Sequence, residues 1–243
     1  MERHSVEVEA ASDGRVRRVT IPGGALSAAV ARELLDVAEE LVEDRSVRVV
    51  TLAARDGSFC TGPGEDLDPL AVDPVAAWAR LRPPVVASIT GPCRSVGLEL
   101  ALVADVRLCD ATASFSLPDV VEGRLPCWGG TQRLPRAIRP AEATAMVLLG
   151  TSLDASRAAA LGLVHEVVGD LEQATGALVA NLLAMGPLAL ELAKEAVHRG
   201  SELPLRDGLR LEGDLNHQLA ATADRAEGLA AFFDKRPADF AGR

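Results

Sequence analysis

The sequence predicts an α/β fold in which short buried strands alternate with helices to about residue 140, after which helices continue almost alone. Three observations predict it. Short β-type runs recur at 16–21, 47–53, 84–89 and 106–109. Between them, apolar residues fall at helical spacing. From residue 141 onward the composition is that of helices, with one strand-like run at 163–168. A chain of 243 residues that is 48% hydrophobic can bury the core such a fold needs.

Taken in order, 16–21 is the first strand. Residues 26–42 follow as an amphipathic helix, because Val30, Leu34, Val37 and Leu41 share one face while Arg32, Glu33, Glu39 and Glu40 turn away from it. The runs 47–53 and 84–89 are apolar enough to be buried strands, and each ends at a glycine-bearing turn. Residues 97–104 are small and apolar, which fits a buried helix leading into the strand 106–109. Two acids, Glu99 and Asp119, thus lie close to the ends of core elements. Further helices are expected at 141–149, 155–161, 171–185, 187–199 and 204–223, the fourth with proline in its first turn. Neither a long linker nor an internal repeat interrupts the chain.

Several function classes are excluded by inspection. A net charge of −10 and a pI near 4.9 argue against a general nucleic-acid binder, because phosphate contacts need a basic face, while a polyanionic small ligand would need a local cationic patch. Cys60, Cys93, Cys109 and Cys127 form no C-x-x-C pair, so neither a zinc site nor a disulfide framework is signalled, and a reducing cytoplasm is the expected setting. The first ten residues lack the apolar stretch of a signal peptide, and no run approaches 18 apolar residues, so no membrane partner is expected. Glycine-rich nucleotide loops and the H-E-x-x-H zinc motif are missing. Ser95 is no G-x-S-x-G nucleophile, since Cys93 stands at the first glycine position. Of the four histidines, His198 and His217 fall on expected helices and His4 near the chain start, and none is read as catalytic.

The stretch from Phe115 to Arg136 packs a carboxylate, Asp119, closely before Cys127-Trp128-Gly129-Gly130-Thr131. Other short signatures precede and follow it in one order. They run Phe59-Cys60-Thr61-Gly62, the strand ending Ser88-Ile89-Thr90-Gly91, Gly97-Leu98-Glu99-Leu100-Ala101 with Ala104-Asp105, Pro118-Asp119 and Gly129-Gly130-Thr131-Gln132-Arg133-Leu134-Pro135-Arg136. Leu149-Gly150, the segment 158–164, Lys194-Glu195-Ala196, Asp224-Arg225-Ala226-Glu227-Gly228 and Phe232-Phe233-Asp234-Lys235-Arg236 complete the series. In this order they resemble the crotonase superfamily of enoyl-CoA hydratases and isomerases over nearly the whole chain.

That resemblance implies a spiral of ββα turns over residues 1–185 and a helical trimerisation region over 186–243, giving a homotrimer or a dimer of trimers. It implies an acyl-CoA thioester as substrate, no other cofactor, no metal, and a place in fatty-acid metabolism. The shared device is an oxyanion hole, two backbone N–H groups aimed at the thioester oxygen, which stabilise the enolate-like charge that develops there. The resemblance puts one donor at Val96. The other falls in the 63–65 loop: aligned from the left it meets Pro63, which has no N–H, and aligned from the right Gly64-Glu65-Asp66-Leu67 match the family pattern, with Glu65 as donor and Gly64 as the alternative. Glu99 matches the first carboxylate of the hydratase branch, and Asp119 stands where a second glutamate is expected, its arm shorter by one methylene, about 1.5 Å.

The residues also admit plainer roles. Glu99 has the plainer reading of a buried acid accepting backbone N–H bonds at a helix start, Asp119 that of a turn residue after Pro118, and Trp128 beside Gly129 that of a core aromatic. Glu122 offers a carboxylate three residues beyond Asp119. Lys235 and Arg236 are cations for a CoA phosphate or simply solvated charges. The turn 22–24 and the segment 68–81 are short against the family pattern, which implies a narrower phosphate grip and a differently shaped acyl site. The leading expectation is a hydratase-like lyase. The alternatives are a double-bond isomerase and a crotonase-fold acyl-CoA-binding protein without turnover.

Overall fold

The computed structural model describes residues 5–243, so His4 lies outside the described residues. Two compact units divide the chain: residues 1–81 with 85–175, and residues 82–84 with 176–243.

An antiparallel strand, β1 (Glu7–Ala11), leads into the first unit. A strand, a short strand and a helix then recur four times among the described residues. The first set is β2 (Val16–Ile21), β3 (Ala25–Leu26) and α1 (Ala28–Glu43). The second is β4 (Val49–Ala54), β5 (Gly62–Pro63) and α2 (Pro74–Trp78). The third is β6 (Val85–Ile89), β7 (Pro92–Arg94) and α3 (Val96–Ala101). The fourth is β8 (Val106–Cys109), β9 (Ser114–Ser116) and α4 (Gly130–Ala137). The helix α5 (Pro140–Leu149), the strand β10 (Leu153–Asp154), α6 (Ala155–Leu161) and β11 (Glu166–Val167) close this unit.

The long strands line up as one sheet in the order β1-β2-β4-β6-β8-β11, parallel from β2 onward. This explains their composition: Val49, Val50, Leu52, Val85, Val86, Ala87 and Ile89 are fully buried because a parallel sheet is covered on both faces. The short strands form two further sheets, β3-β5 and β10-β9-β7. They hold the loops that follow the long strands, and these loops carry the site.

Local rules set most boundaries. Ser27 caps α1 by accepting the Val30 N–H at 3.2 Å, so the helix starts two residues later than its apolar pattern suggests. Val30, Ala31, Leu34, Ala38 and Leu41 form its buried face. Asp73 caps α2, whose first residue is Pro74. The helix 97–104 expected from sequence is α3, one residue earlier and ending at Ala101.

The chain leaves the first unit within α7 (Leu171–Leu183). The second unit continues with α8 (Pro187–Gly200), α9 (Leu205–Ala220) and α10 (Ala223–Asp234). The expected helix 204–223 therefore stops at Ala220, and Thr222 caps a separate α10 by accepting the Arg225 N–H. The C-terminal tail returns onto α10, where buried Asp224 accepts the N–H groups of Ala241 and Gly242. No single helix among the described residues is long and apolar enough to cross a membrane.

Candidate active site

The first unit gathers the site from the ends of its third and fourth ββα turns. Between β7 and α3 the chain passes through Ser95 at φ 53° and ψ −124°, a backbone conformation that favours glycine. This sharp corner turns α3 so that Glu99, in its first turns, points inward and is 1% exposed. Glu99 Oε1 accepts two main-chain N–H bonds, from Trp128 at 2.9 Å and Gly130 at 2.7 Å. The seat is tight, since a Cβ on Gly130 would lie 2.9 Å from Glu99 Cγ. Glu99 Oε2 is buried and meets no hydrogen-bond partner among the described residues.

Asp119 follows Pro118 after β9 and is 4% exposed. Ser95 Oγ donates to its Oδ1 at 2.6 Å, and Arg124 stands 3.6 Å from the same oxygen. Its Oδ2, like Glu99 Oε2, is buried without a partner. Two carboxylates are thus each anchored through one oxygen and bare at the other. Burial is the main force that pushes Glu99 up to about 7; the Gly130 amide opposes it, the Asp119 charge adds to it, the Trp128 amide opposes it, and Asp73 adds again.

The loop after Phe59 is tied down by its backbone. Cys60 N–H donates to Pro92 O at 2.8 Å, Thr61 N–H to Gly24 O at 2.8 Å, and Arg94 N–H to Cys60 O at 2.9 Å. The strand β5 packs against α3, and the vacant Cβ position of Gly62 faces Ser95 Cβ at 3.9 Å. Pro63 in β5 offers no N–H, and the Gly64 N–H is committed to Leu26 O at 2.8 Å. Within the 63–65 loop this leaves Glu65 as the residue whose N–H is given no acceptor among the described residues. Val96, the first residue of α3, also has an N–H with no intrahelical acceptor.

The remaining candidates are placed differently. Asp66 turns to α1, where its Oδ2 accepts the Ala28 N–H at 3.1 Å. Leu67 is buried in the core. Trp128 is 1% exposed; its backbone serves Glu99 and its ring Nε1 donates to Pro69 O at 2.8 Å. Gly129 caps α4 at φ 95°. Glu122 does not join the carboxylate pair, being ion-paired with Arg94 and Arg124 at the surface. Lys235 is the left-handed C-cap of α10 in the second unit, and Arg236 is engaged by Glu227. Cys127, beside Trp128, has its thiol pushed up to about 11 mainly by burial, which disfavours the thiolate at neutral pH. Among the described residues, no cluster of three His, Cys, Asp or Glu side chains is arranged to hold a metal ion.

Sequence reasoning missed two members of this arrangement, Ser95 and Gly130. The available signal for Ser95 is its place in the sequence, a serine four residues before Glu99 at the strand-to-helix corner.

Known proteins share this architecture. The family model for enoyl-CoA hydratase/isomerase matches residues 20–243. A probable enoyl-CoA hydratase of Rhizobium meliloti is 36% identical, with 96% of each chain covered. The 2,3-dehydroadipyl-CoA hydratase of Escherichia coli is 37% identical over 90% of this chain and 91% of its own. The crystal structure of enoyl-CoA hydratase from Bacillus anthracis superposes with a TM-score of 0.89 at 30% identity, covering 98% of this chain and 100% of that one. The ββα spiral is therefore the crotonase fold, and the chain belongs to the enoyl-CoA hydratase/isomerase family, as an enzyme of that family.

Proposed function

We propose that the enzyme adds water across the α,β double bond of an enoyl-CoA thioester, with Glu99 and Asp119 as the acid–base pair. One observation carries this reading: Glu99 Oε2 and Asp119 Oδ2 are both buried and both lack a partner. A buried carboxylate oxygen left bare is costly unless a ligand or water completes it. A water shared by the two would satisfy both. Glu99, ionised above about 7, takes a proton from that water as its oxygen bonds to the β-carbon. The π electrons move to the thioester oxygen, held by the N–H groups of Val96 and Glu65. The α-carbon then receives the proton back through the carboxylate pair, so one water is added and both acids end as they began. No cofactor beyond the CoA of the substrate is required.

The purified chain is expected to consume the enoyl absorbance of crotonyl-CoA. CoA-thioester binding without turnover would instead favour the acyl-CoA-binding reading, for which the missing N–H of Pro63 and the committed N–H of Gly64 speak. The donor assignment has its own test. Glu65→Pro deletes one N–H and should lower kcat about 10²-fold, while Pro63→Ala should leave kcat within about threefold. A marked rise of kcat in Pro63→Ala would move the donor to position 63.

We also propose a homotrimer or a dimer of trimers in a reducing cytoplasm. Support for the assembly comes from the second unit, where Val197, Leu205, Leu209, Phe232 and Phe233 are exposed and no residue of α7 is buried. Sedimentation of the purified protein decides it. The four cysteines, all free, suit a reducing compartment.

A further inference from the structure

We infer that Ser95 is a positioning residue for Asp119, and that the two act together as a unit in which a short, pinned carboxylate does the work of a longer one. The inference rests on the hydratase reading of the carboxylate pair. Its first support is geometric. Ser95 Oγ lies 2.6 Å from Asp119 Oδ1, and both residues are buried, at 1% and 4% exposure. The other group near that oxygen is Arg124 at 3.6 Å, whose guanidinium is tied to Glu122 as well. Ser95 is thus the close anchor that fixes which Asp119 oxygen faces inward bare.

The second support is the backbone. Ser95 sits at φ 53° and ψ −124°, where glycine is at ease and any side chain is strained. Glycine would fill this corner without strain: the Ser95 Cβ points toward the vacant Cβ position of Gly62, 3.9 Å away, and contributes no capping bond to α3. The strain is retained together with a hydroxyl that donates to Asp119. Physical economy assigns the serine to that bond. An aspartate lacking one methylene has less reach than a glutamate, and it serves as a fixed group only if its rotamer is locked.

The prediction has two readouts that separate the hydroxyl from the backbone. Ser95→Gly and Ser95→Ala both lose the bond to Asp119 and should lower kcat for crotonyl-CoA equally, about 10- to 100-fold with KM within about threefold. Ser95→Gly should nonetheless melt about 2–6 °C above Ser95→Ala, because it alone relieves the backbone strain. Asp119→Glu should recover at least about tenfold of the lost kcat in the Ser95→Gly background, where the longer arm needs no anchor, and should not raise kcat in the wild-type background.

Crystal structures of wild type and Ser95→Gly provide the readout that is independent of activity. Asp119 is expected to leave its rotamer or to become disordered in the variant. An unmoved Asp119 in the variant, or a kcat within threefold of wild type, overturns the proposal. A wild-type protein that binds crotonyl-CoA without hydrating it overturns the hydratase reading instead, and the crystallographic comparison still decides whether Ser95 holds Asp119.

Discussion

Glu99→Gln is expected to lower kcat for crotonyl-CoA hydration about 10³-fold while leaving KM close to its wild-type value. The substitution keeps the shape of the side chain and an oxygen for the Trp128 and Gly130 amides, so the seat survives. What is lost is the ability to accept a proton at Oε2, a function worth about 10²–10⁴ in rate. In the wild type kcat should rise as pH passes about 7, because the ionised form is the one that activates water. That limb should vanish in the variant. Retention of the limb would assign it to another group and remove Glu99 from the proton path.

The same residue predicts a signature in stability. The unfolded carboxyl loses its proton near 4.5, whereas folded Glu99 holds it to about 7. Between these values the folded chain binds the extra proton, so this group favours folding fully below about 4.5 and its contribution is lost as pH rises through about 7. The loss amounts to about 3 kcal/mol. Glutamine does not titrate. The stability of Glu99→Gln relative to wild type should therefore improve by about that amount from pH 4.5 to pH 8, read as a growing difference in Tm. A constant difference across that range would mean that Glu99 is not proton-rich in the folded state.

How much of this was legible depended on whether the information was local. The strands at 16–21 and 106–109 were readable to the residue, because strand-forming and apolar residues flank their arginines, and those at 47–53 and 84–89 nearly so, because a parallel strand buried on both faces writes itself as an apolar run. The antiparallel strand β1 carries EVEAA with an almost wholly exposed pattern, so nothing in its composition announced it. The two-residue strands β3, β5 and β10 exist only through their partners. Pro135 lies inside α4 and masked a helix that begins at Gly130. The break between α9 and α10 was hidden because helix-forming residues run through it and only the Thr222 cap marks the new start.

The site followed the same division. Glu99 and Asp119 stood out because short signatures flank them in a fixed order along the chain. The bond from Ser95 to Asp119 spans 24 residues and that from Gly130 to Glu99 spans 31; no window of sequence contains both partners. Nor does sequence tell which amide of an inserted loop is already taken. The commitment of Gly64 to Leu26 O became visible only with β3 and β5 side by side.

The second large effect is expected from Gly97→Ala, which adds one methyl group and alters no polar group. A Cβ at this position would stand 2.3 Å from Cys60 Cβ, 2.9 Å from its Sγ and 3.4 Å from its Cα. Cβ and Cα move only with the backbone, and Cys60 is held there by its bonds to Pro92 O and from Arg94 N–H. The contact can open only by driving α3 away from the 59–65 loop. Such overpacking costs about 3 kcal/mol, or about 6–12 °C in Tm. On the proposed assignment of the oxyanion donors, the same displacement separates Val96 from Glu65, and a shift of about 1 Å at a donor costs about 10²-fold in kcat. The rescue pattern identifies the cause. Cys60→Ala removes the sulfur but keeps the Cβ that lies nearest, so it should restore little. Cys60→Gly removes the Cβ as well and should recover part of both Tm and kcat. If Cys60→Ala rescues as well as Cys60→Gly, the collision is with the thiol, and the close approach of α3 to the loop backbone is not what holds the two amides together.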